Sequence, residues 1–192
     1  MRLAELSRRT KETNIQLTLD LDGSGKIQVT TGIGFFDHML TAFATHAGFD
    51  MALNVKGDLQ VDCHHTVEDV GIIMGKAINQ ALGDKRGILR FANIWLPMDE
   101  ALAFSALDIS GRGLCLFDAH FTFKNCGDYE NDATAEFMKA LATNSLTTLH
   151  VRSLYGENDH HINEALYKAV ARCFRKAVSI DGDSIPSSKG SL

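Results

Sequence analysis

Proline is scarce in this chain: of 192 residues only Pro97 and Pro186 are proline. With no Pro-rich or low-complexity stretch there is no candidate linker, and the chain reads as one domain. Apolar runs are short as well. None reaches the roughly 18 residues that a membrane-spanning helix needs, and Met1-Arg2-Leu3-Ala4-Glu5 leads into no apolar segment of the signal-peptide kind. Basic runs are missing too. With 19 Lys and Arg against 24 Asp and Glu, the formal net charge is -5. That is a poor basis for gripping a polyanion, so neither nucleic acid nor a membrane is an expected partner. Cysteine pairs are absent: Cys63, Cys115, Cys126 and Cys173 are scattered with no C-x-x-C spacing. The pattern argues against a disulfide framework and a closed thiolate zinc site, and for reduced thiols in a cytoplasmic protein. Only Cys63, adjacent to His64, leaves a thiolate ligand open.

What is present is an ordinary globular balance, 45% apolar and 22% charged, with enough length to bury a core. Apolar and polar residues alternate from Thr13 to Asp20. They alternate again from Lys26 to Thr30, beyond the turn Asp22-Gly23-Ser24-Gly25, which predicts a hairpin. Phe36, Met39, Leu40 and Phe43 recur at helical spacing within Phe35 to His46. A strand is expected from Phe49 to Val55, then a helix from His64 to Leu82 stopped by Gly83. The second half follows suit. Strands are expected at Phe91 to Leu96, Ala101 to Ile109 and around Leu114 to Phe123. A helix at Thr134 to Ser145, a strand at Thr148 to Tyr155 and a helix at His160 to Val178 complete it.

The halves also match residue by residue. His64-His65-Thr66-Val67-Glu68 recurs as His160-His161-Ile162-Asn163-Glu164, 96 positions later. The helix around His38 aligns with that around Glu136 at an offset of 98. A repeat of this length is too long for a solenoid unit. It predicts two related halves, 1–88 and 89–180, packed as a single domain with a tail at 181–192. Each half is expected to be a sheet with two helices on one face.

The repeated element is H-H-x-x-E. Eight His and eight Glu in this chain would produce it about 0.014 times by chance, so two copies at matching helix starts signal function. Positions i and i+4 share a helix face, which places His64 beside Glu68 and His160 beside Glu164. His65 and His161 are turned about 100° away and can serve a neighbouring site. The aligned helices add His38 and Glu136. The eight candidate donors are thus His38, His64, His65, Glu68, Glu136, His160, His161 and Glu164. Mixed imidazole and carboxylate donors suit two divalent ions, Mn²⁺ first, with Fe²⁺, Co²⁺ or Zn²⁺ as substitutes. His46, at the end of the first ligand helix, either caps its dipole or faces the site. His120 and His150 have no such setting and read as structural. Arg112, on the turn Gly111-Arg112-Gly113, has a fork able to reach a dianion.

These residues resemble the imidazoleglycerol-phosphate dehydratase family, the dehydratases of histidine biosynthesis. The resemblance runs through Gly32-Ile33-Gly34-Phe35-Phe36-Asp37-His38-Met39-Leu40, Asp62-Cys63-His64-His65-Thr66-Val67-Glu68-Asp69, Pro97-Met98-Asp99-Glu100, Asp108-Ile109-Ser110-Gly111-Arg112, Asn158-Asp159-His160-His161 and Pro186-Ser187-Ser188-Lys189-Gly190. It implies an α+β fold of two duplicated halves, each a roughly four-stranded sheet with two helices, the helices sandwiched between the sheets (ribosomal protein S5 domain 2-like). It also implies a homo-oligomer, 24 subunits built from metal-bound trimers, with two Mn²⁺ per site and sites between subunits. The ligand positions it implies are the eight donors above. The implied reaction is a hydro-lyase step, loss of water from D-erythro-imidazoleglycerol phosphate to give imidazoleacetol phosphate. The proton removed sits beside the imidazole with no carbonyl to acidify it, which is why ions acting as template and Lewis acid are needed.

By the same resemblance Glu12 reaches the substrate as acid or base. Glu68 or Glu164, leaving a metal, is the alternative, and His46 joins the catalytic set on its place at the end of the first ligand helix. Arg90, Arg112, Lys168, Ser187, Ser188 and Lys189 are implied for the substrate phosphate, with Lys168 expected off the His160 face but long enough to reach inward. The polar tail is expected to order on phosphate. Two other readings compete: a dinuclear metallohydrolase, and a non-catalytic metal-binding shell. Neither has a use for the phosphate-binding residues.

Overall fold

The structure is a computed structural model that describes residues 2–190 and Leu192. Its first half runs β1 (Leu3–Arg9), β2 (Thr13–Asp20), β3 (Ile27–Thr30), α1 (Gly34–Ala47), β4 (Asp50–Gly57) and α2 (His64–Leu82). The second runs β5 (Phe91–Met98), β6 (Ala101–Asp108), β7 (Leu114–Asp118), two short strands β8 (Asn125–Cys126) and β9 (Tyr129–Glu130), then α3 (Ala133–Ser145), β10 (Thr148–Tyr155) and α4 (Asp159–Ala177). The strand orders are β1-β2-β4-β3 and β5-β6-β10-β7, so the two sheets have the same topology. In each, the last two strands of that order are parallel and the rest antiparallel. The parallel pairs β3–β4 and β7–β10 are joined over α1 and α3, as a parallel crossover requires.

This corrects the hairpin expected at Thr13–Thr30. β2 does not pair with β3; β4 inserts between them and bonds to both. Alternation identifies strands but carries no information about which strand lies alongside. The real hairpin is β1–β2, with register Leu3 to Asp20 through Arg9 to Asn14. β1 was not expected because an inward position of its short apolar pattern is taken by Arg8, which reaches Asp69 on α2 at 2.7 Å.

Helices α1 and α2 lie on the first sheet, α3 and α4 on the second, with α1 packed on α4 and α2 on α3. The core therefore sits between two sheets and is filled from both helix layers. Ile15, Leu17 and Leu19 of β2 meet the apolar face of α2, where Val67, Val70, Met74 and Ala77 are buried. On α4, Ile162, Leu166, Ala169, Val170 and Phe174 are buried as the spacing predicts. Helices α2 and α3 approach closely because α2 carries Gly71 and Gly75 at the crossing. A Cβ on Gly75 would stand 2.6 Å from the Leu141 carbonyl oxygen, and one on Gly71 2.8 Å from that of Phe137.

Candidate metal centre and active site

Each H-H-x-x-E motif opens a helix, and each opening is capped from two residues upstream. Asp62 Oδ1 accepts the His64 N–H at 2.8 Å, and Asn158 Oδ1 accepts the His160 N–H at 2.9 Å. These caps fix where the first turn starts and hence which way its histidines project. Asp159 pins the preceding chain, accepting N–H bonds from Thr122 and Phe123 at 3.0 and 2.7 Å.

The packing of α1 on α4 brings His38 to the second motif. Glu164 Oε2 lies 3.3 Å from His160 Nε2 and 3.5 Å from His38 Nε2. Donors about 2.1 Å from a shared ion, at roughly tetrahedral or octahedral angles, would be about 3.0–3.4 Å apart, close to these spacings. Among the described residues these three form the one group of three such donors lying within 4.8 Å of one another. Two imidazoles and a carboxylate make a donor set suited to a divalent transition metal. Phe35 packs edge-on against His160 with ring centroids 5.0 Å apart, holding its plane.

Glu164 is buried, and its second oxygen accepts Lys168 Nζ at 2.6 Å. Burial alone would raise its pKa; the Lys168 ammonium and then His38 outweigh burial and lower it, favouring the carboxylate. Lys168 is one turn beyond Glu164, in the row His160–Glu164–Lys168. It is thus on the ligand face, not off it as expected: eight residues are close to two whole turns.

The first motif repeats the pattern with fewer partners. His64 Nε2 lies 3.7 Å from Glu68 Oε2, but Glu136, the counterpart of His38, pairs with Lys139 at 2.8 Å. His65 and His161 point elsewhere, as a 100° rotation requires. His65 meets Asp58 at 3.0 Å and faces Glu12 at 4.0 Å; His161 meets Glu100 at 2.7 Å and faces Asp99 at 3.6 Å. Hydrogen bonds to Asp58 and Glu100 raise the two imidazole pKa values. The His161 bond, then the Asn158 N–H, holds Glu100 down to about 2. Glu12 is at the tip of the β1–β2 turn, where Thr10 Oγ1 accepts its N–H at 3.1 Å.

His46 lies two turns along α1 from His38. Burial lowers its pKa first, then Lys168 and Arg172 across the α1–α4 contact. It is neither an exposed cap nor in the ligand cluster. Cys63 accepts the Glu130 N–H at 3.4 Å, and burial raises its pKa, so it sits as a thiol. His120 and His150 are exposed and lie outside both motifs.

The phosphate candidates divide. Arg90 bonds Asp108 at 2.7 Å and the Pro186 carbonyl at 2.8 Å, which ties the tail to the second sheet. The tail turns at Ser187, whose carbonyl accepts the Gly190 N–H at 3.0 Å and whose Oγ accepts the Lys189 N–H at 3.2 Å. Leu192 comes against Gly111, where a Cβ would stand 2.7 Å from its carbonyl carbon. The tail is thereby held at two points, Pro186 on Arg90 and Leu192 on Gly111, the residue before Arg112. Arg112 is exposed and has no carboxylate partner among the described residues.

The β8–β9 hairpin is an addition to the expected elements, although Gly127-Asp128 is a two-residue turn signal with Gly127 at φ 62. This hairpin links the ligand helices. Asp128 accepts the Gly34 N–H at the start of α1 at 3.0 Å, and Glu130 donates to Cys63 at the start of α2. Tyr129 between them is buried against Phe35 and Phe36.

Comparison with known proteins decides the family. The imidazoleglycerol-phosphate dehydratase family matches residues 31–174. The chain belongs to this family. Imidazoleglycerol-phosphate dehydratases of Caldicellulosiruptor bescii and Methanosarcina mazei are 52% and 50% identical to it. Each alignment covers all of this chain, with 98% and 100% of the respective relative. Two solved dehydratases share the fold. That of Staphylococcus aureus has a TM-score of 0.85 at 31% identity, covering 93% of this chain and 99% of its own. That of Pyrococcus furiosus has 0.83 at 34%, covering 97% and 100%. The duplicated two-sheet architecture is thus that of imidazoleglycerol-phosphate dehydratases.

Proposed function

We propose that this chain catalyses the dehydration of imidazoleglycerol phosphate in histidine biosynthesis, a hydro-lyase reaction, at a site holding two Mn²⁺ ions. The observation that carries the metal reading is the convergence of His38 on His160 and Glu164. His38, His160 and Glu164 would hold one ion and His64 and Glu68 the other, with Fe²⁺, Co²⁺ or Zn²⁺ able to substitute. When bound, such ions supply a template and Lewis acid for the substrate's imidazole ring.

The chain's own residues supply the rest. Glu12, exposed at a turn tip and facing His65, moves the proton. Glu164 is committed to Lys168 and the two histidines, which leaves Glu68 as the alternative base. Arg112 takes the phosphate with Ser187, Ser188 and Lys189, and Arg90 serves by holding the tail. Lys168, whose Nζ also meets Met98 Sδ, orients Glu164 and supports the phosphate only through its remaining N–H. His46 acts as an uncharged neighbour of α4.

His65, His161 and Glu136 stand outside the cluster within one chain. Their use as ligands therefore calls for assembly, and we place the sites between subunits of a 24-subunit shell built from trimers. The outer face of the second sheet supports subunit contact, because Phe91, Trp95, Leu114 and Leu116 are exposed there. No helix among the described residues is long and apolar enough to cross a membrane, and a cytoplasmic location fits the reduced cysteines.

The test is incubation of Mn²⁺-loaded protein with imidazoleglycerol phosphate. Imidazoleacetol phosphate is expected, and Glu12→Gln is expected to slow its formation by about 100-fold or more. No product from the wild type overturns the reading. An exposed Arg112 with no carboxylate partner among the described residues is unexplained by a metallohydrolase or a non-catalytic shell, and native mass measurement with a chelator tests the assembly.

A further inference from the structure

The five histidines of the ligand set differ in what their ring nitrogens meet. His38, His64 and His160 turn Nε2 toward glutamates of the motif. His65 and His161 instead present Nδ1 to a carboxylate outside it: Asp58 Oδ2 at 3.0 Å and Glu100 Oε2 at 2.7 Å. These carboxylates are not products of the duplication. Asp58 follows β4, whereas Glu100 lies in the β5–β6 turn, so the two halves reach the same arrangement from different places in the fold.

Both carboxylates are aimed. Glu100 Oε1 accepts the N–H groups of Glu157 and Asn158 at 3.1 and 2.8 Å, which leaves Oε2 to face His161. Among the described residues Asp58 Oδ1 is buried without a hydrogen-bond partner, so His65 is the group its side chain serves. A carboxylate only accepts, so Nδ1 must carry the hydrogen, and the lone pair of the neutral ring is then on Nε2.

We propose that Asp58 and Glu100 are positioning residues that lock His65 and His161 in the Nδ1–H tautomer and so ready Nε2 to bind a divalent cation. The inference rests on the metal reading above, and the experiment separates the two. Glu100→Gln keeps an oxygen for the Glu157 and Asn158 N–H groups and turns an NH₂ against His161 Nδ1. That reverses the hydrogen bond and moves the ring proton to Nε2. Glu100→Ala removes the loop bonds as well. Asp58→Asn weakens the bond in either orientation: its NH₂ opposes His65 Nδ1, or an uncharged oxygen replaces the carboxylate as acceptor while the NH₂ fills the pocket of Oδ1 without a partner.

The readouts are Mn²⁺ affinity of the whole assembled protein, by competition with a chelating dye, and the melting temperature of the metal-free protein. Glu100→Gln and Asp58→Asn are expected to bind Mn²⁺ about 10- to 100-fold more weakly. Above the titration range of the histidines, Glu100→Gln should melt with the wild type when metal-free, while Glu100→Ala should melt lower. Wild-type Mn²⁺ affinity in both amide variants overturns the proposal, as does a loss of affinity seen only in Glu100→Ala. If Glu100→Gln fails to fold, Asp58→Asn alone decides. A wild type that binds no Mn²⁺ overturns the metal reading itself.

Discussion

Lys168 and Glu164 are joined across one turn of α4, Nζ to Oε1 at 2.6 Å, and this leaves Oε2 turned to His38 and His160. One carboxylate thus serves a fixed cation on one side and a ligand cluster on the other. Glu164→Gln keeps the shape and removes the charge. Mn²⁺ affinity is expected to fall by about 10-fold or more. Lys168, mostly buried, loses its counter-ion, and denaturant unfolding should report a loss of about 1–3 kcal/mol. Because the folded pKa of Glu164 is lowered, its stabilisation is present above the ordinary carboxylate value and lost as pH falls through the folded one. The difference between wild type and variant should therefore shrink in acid.

His65 and His161 have pKa values raised by Asp58 and Glu100. A metal must displace those protons, so Mn²⁺ affinity should fall as pH drops from about 8 to about 6. Calorimetry in buffers of different ionisation enthalpy should register proton release in that range. For the metal-free fold the sign is opposite: the raised values stabilise it below the ordinary histidine pKa, and that stabilisation is lost as pH rises through the folded values.

Gly75 leaves no room at the α2–α3 crossing. Gly75→Val should push the helices apart and cost about 1–3 kcal/mol or more, measured by chemical denaturation. Its counterpart in open space, Gly25→Ala, meets no neighbour within 4 Å, though its positive φ of 98° still strains it. The larger loss is expected at Gly75.

Arg112 is exposed and has no carboxylate partner among the described residues, so its removal should cost binding and not folding. Arg112→Ala is expected to raise KM by about 10- to 100-fold, the worth of one or two charge-assisted hydrogen bonds. Its melting temperature should stay that of the wild type. Arg90→Ala should raise KM and lower the melting temperature as well, since Arg90 bonds Asp108 and the tail.

By itself the sequence determined the helices, because apolar stripes and stop signals are local. Helix α2 spans His64–Leu82 and ends at Gly83, as its spacing predicts. It also determined the duplication and the repeated pairing of His with Glu one turn later, since both follow from residue identity and the 3.6-residue period. Strand order was decided only by tertiary structure: β4 between β2 and β3 is a long-range choice that alternation does not encode. So was the ligand partnership. His38 meets His160 and Glu164 because α1 packs on α4, while Glu136 turns to Lys139. The same holds for Asp58 and Glu100, which lie outside the repeat and become partners of its second histidines only when strand ends and turns converge on the helix starts.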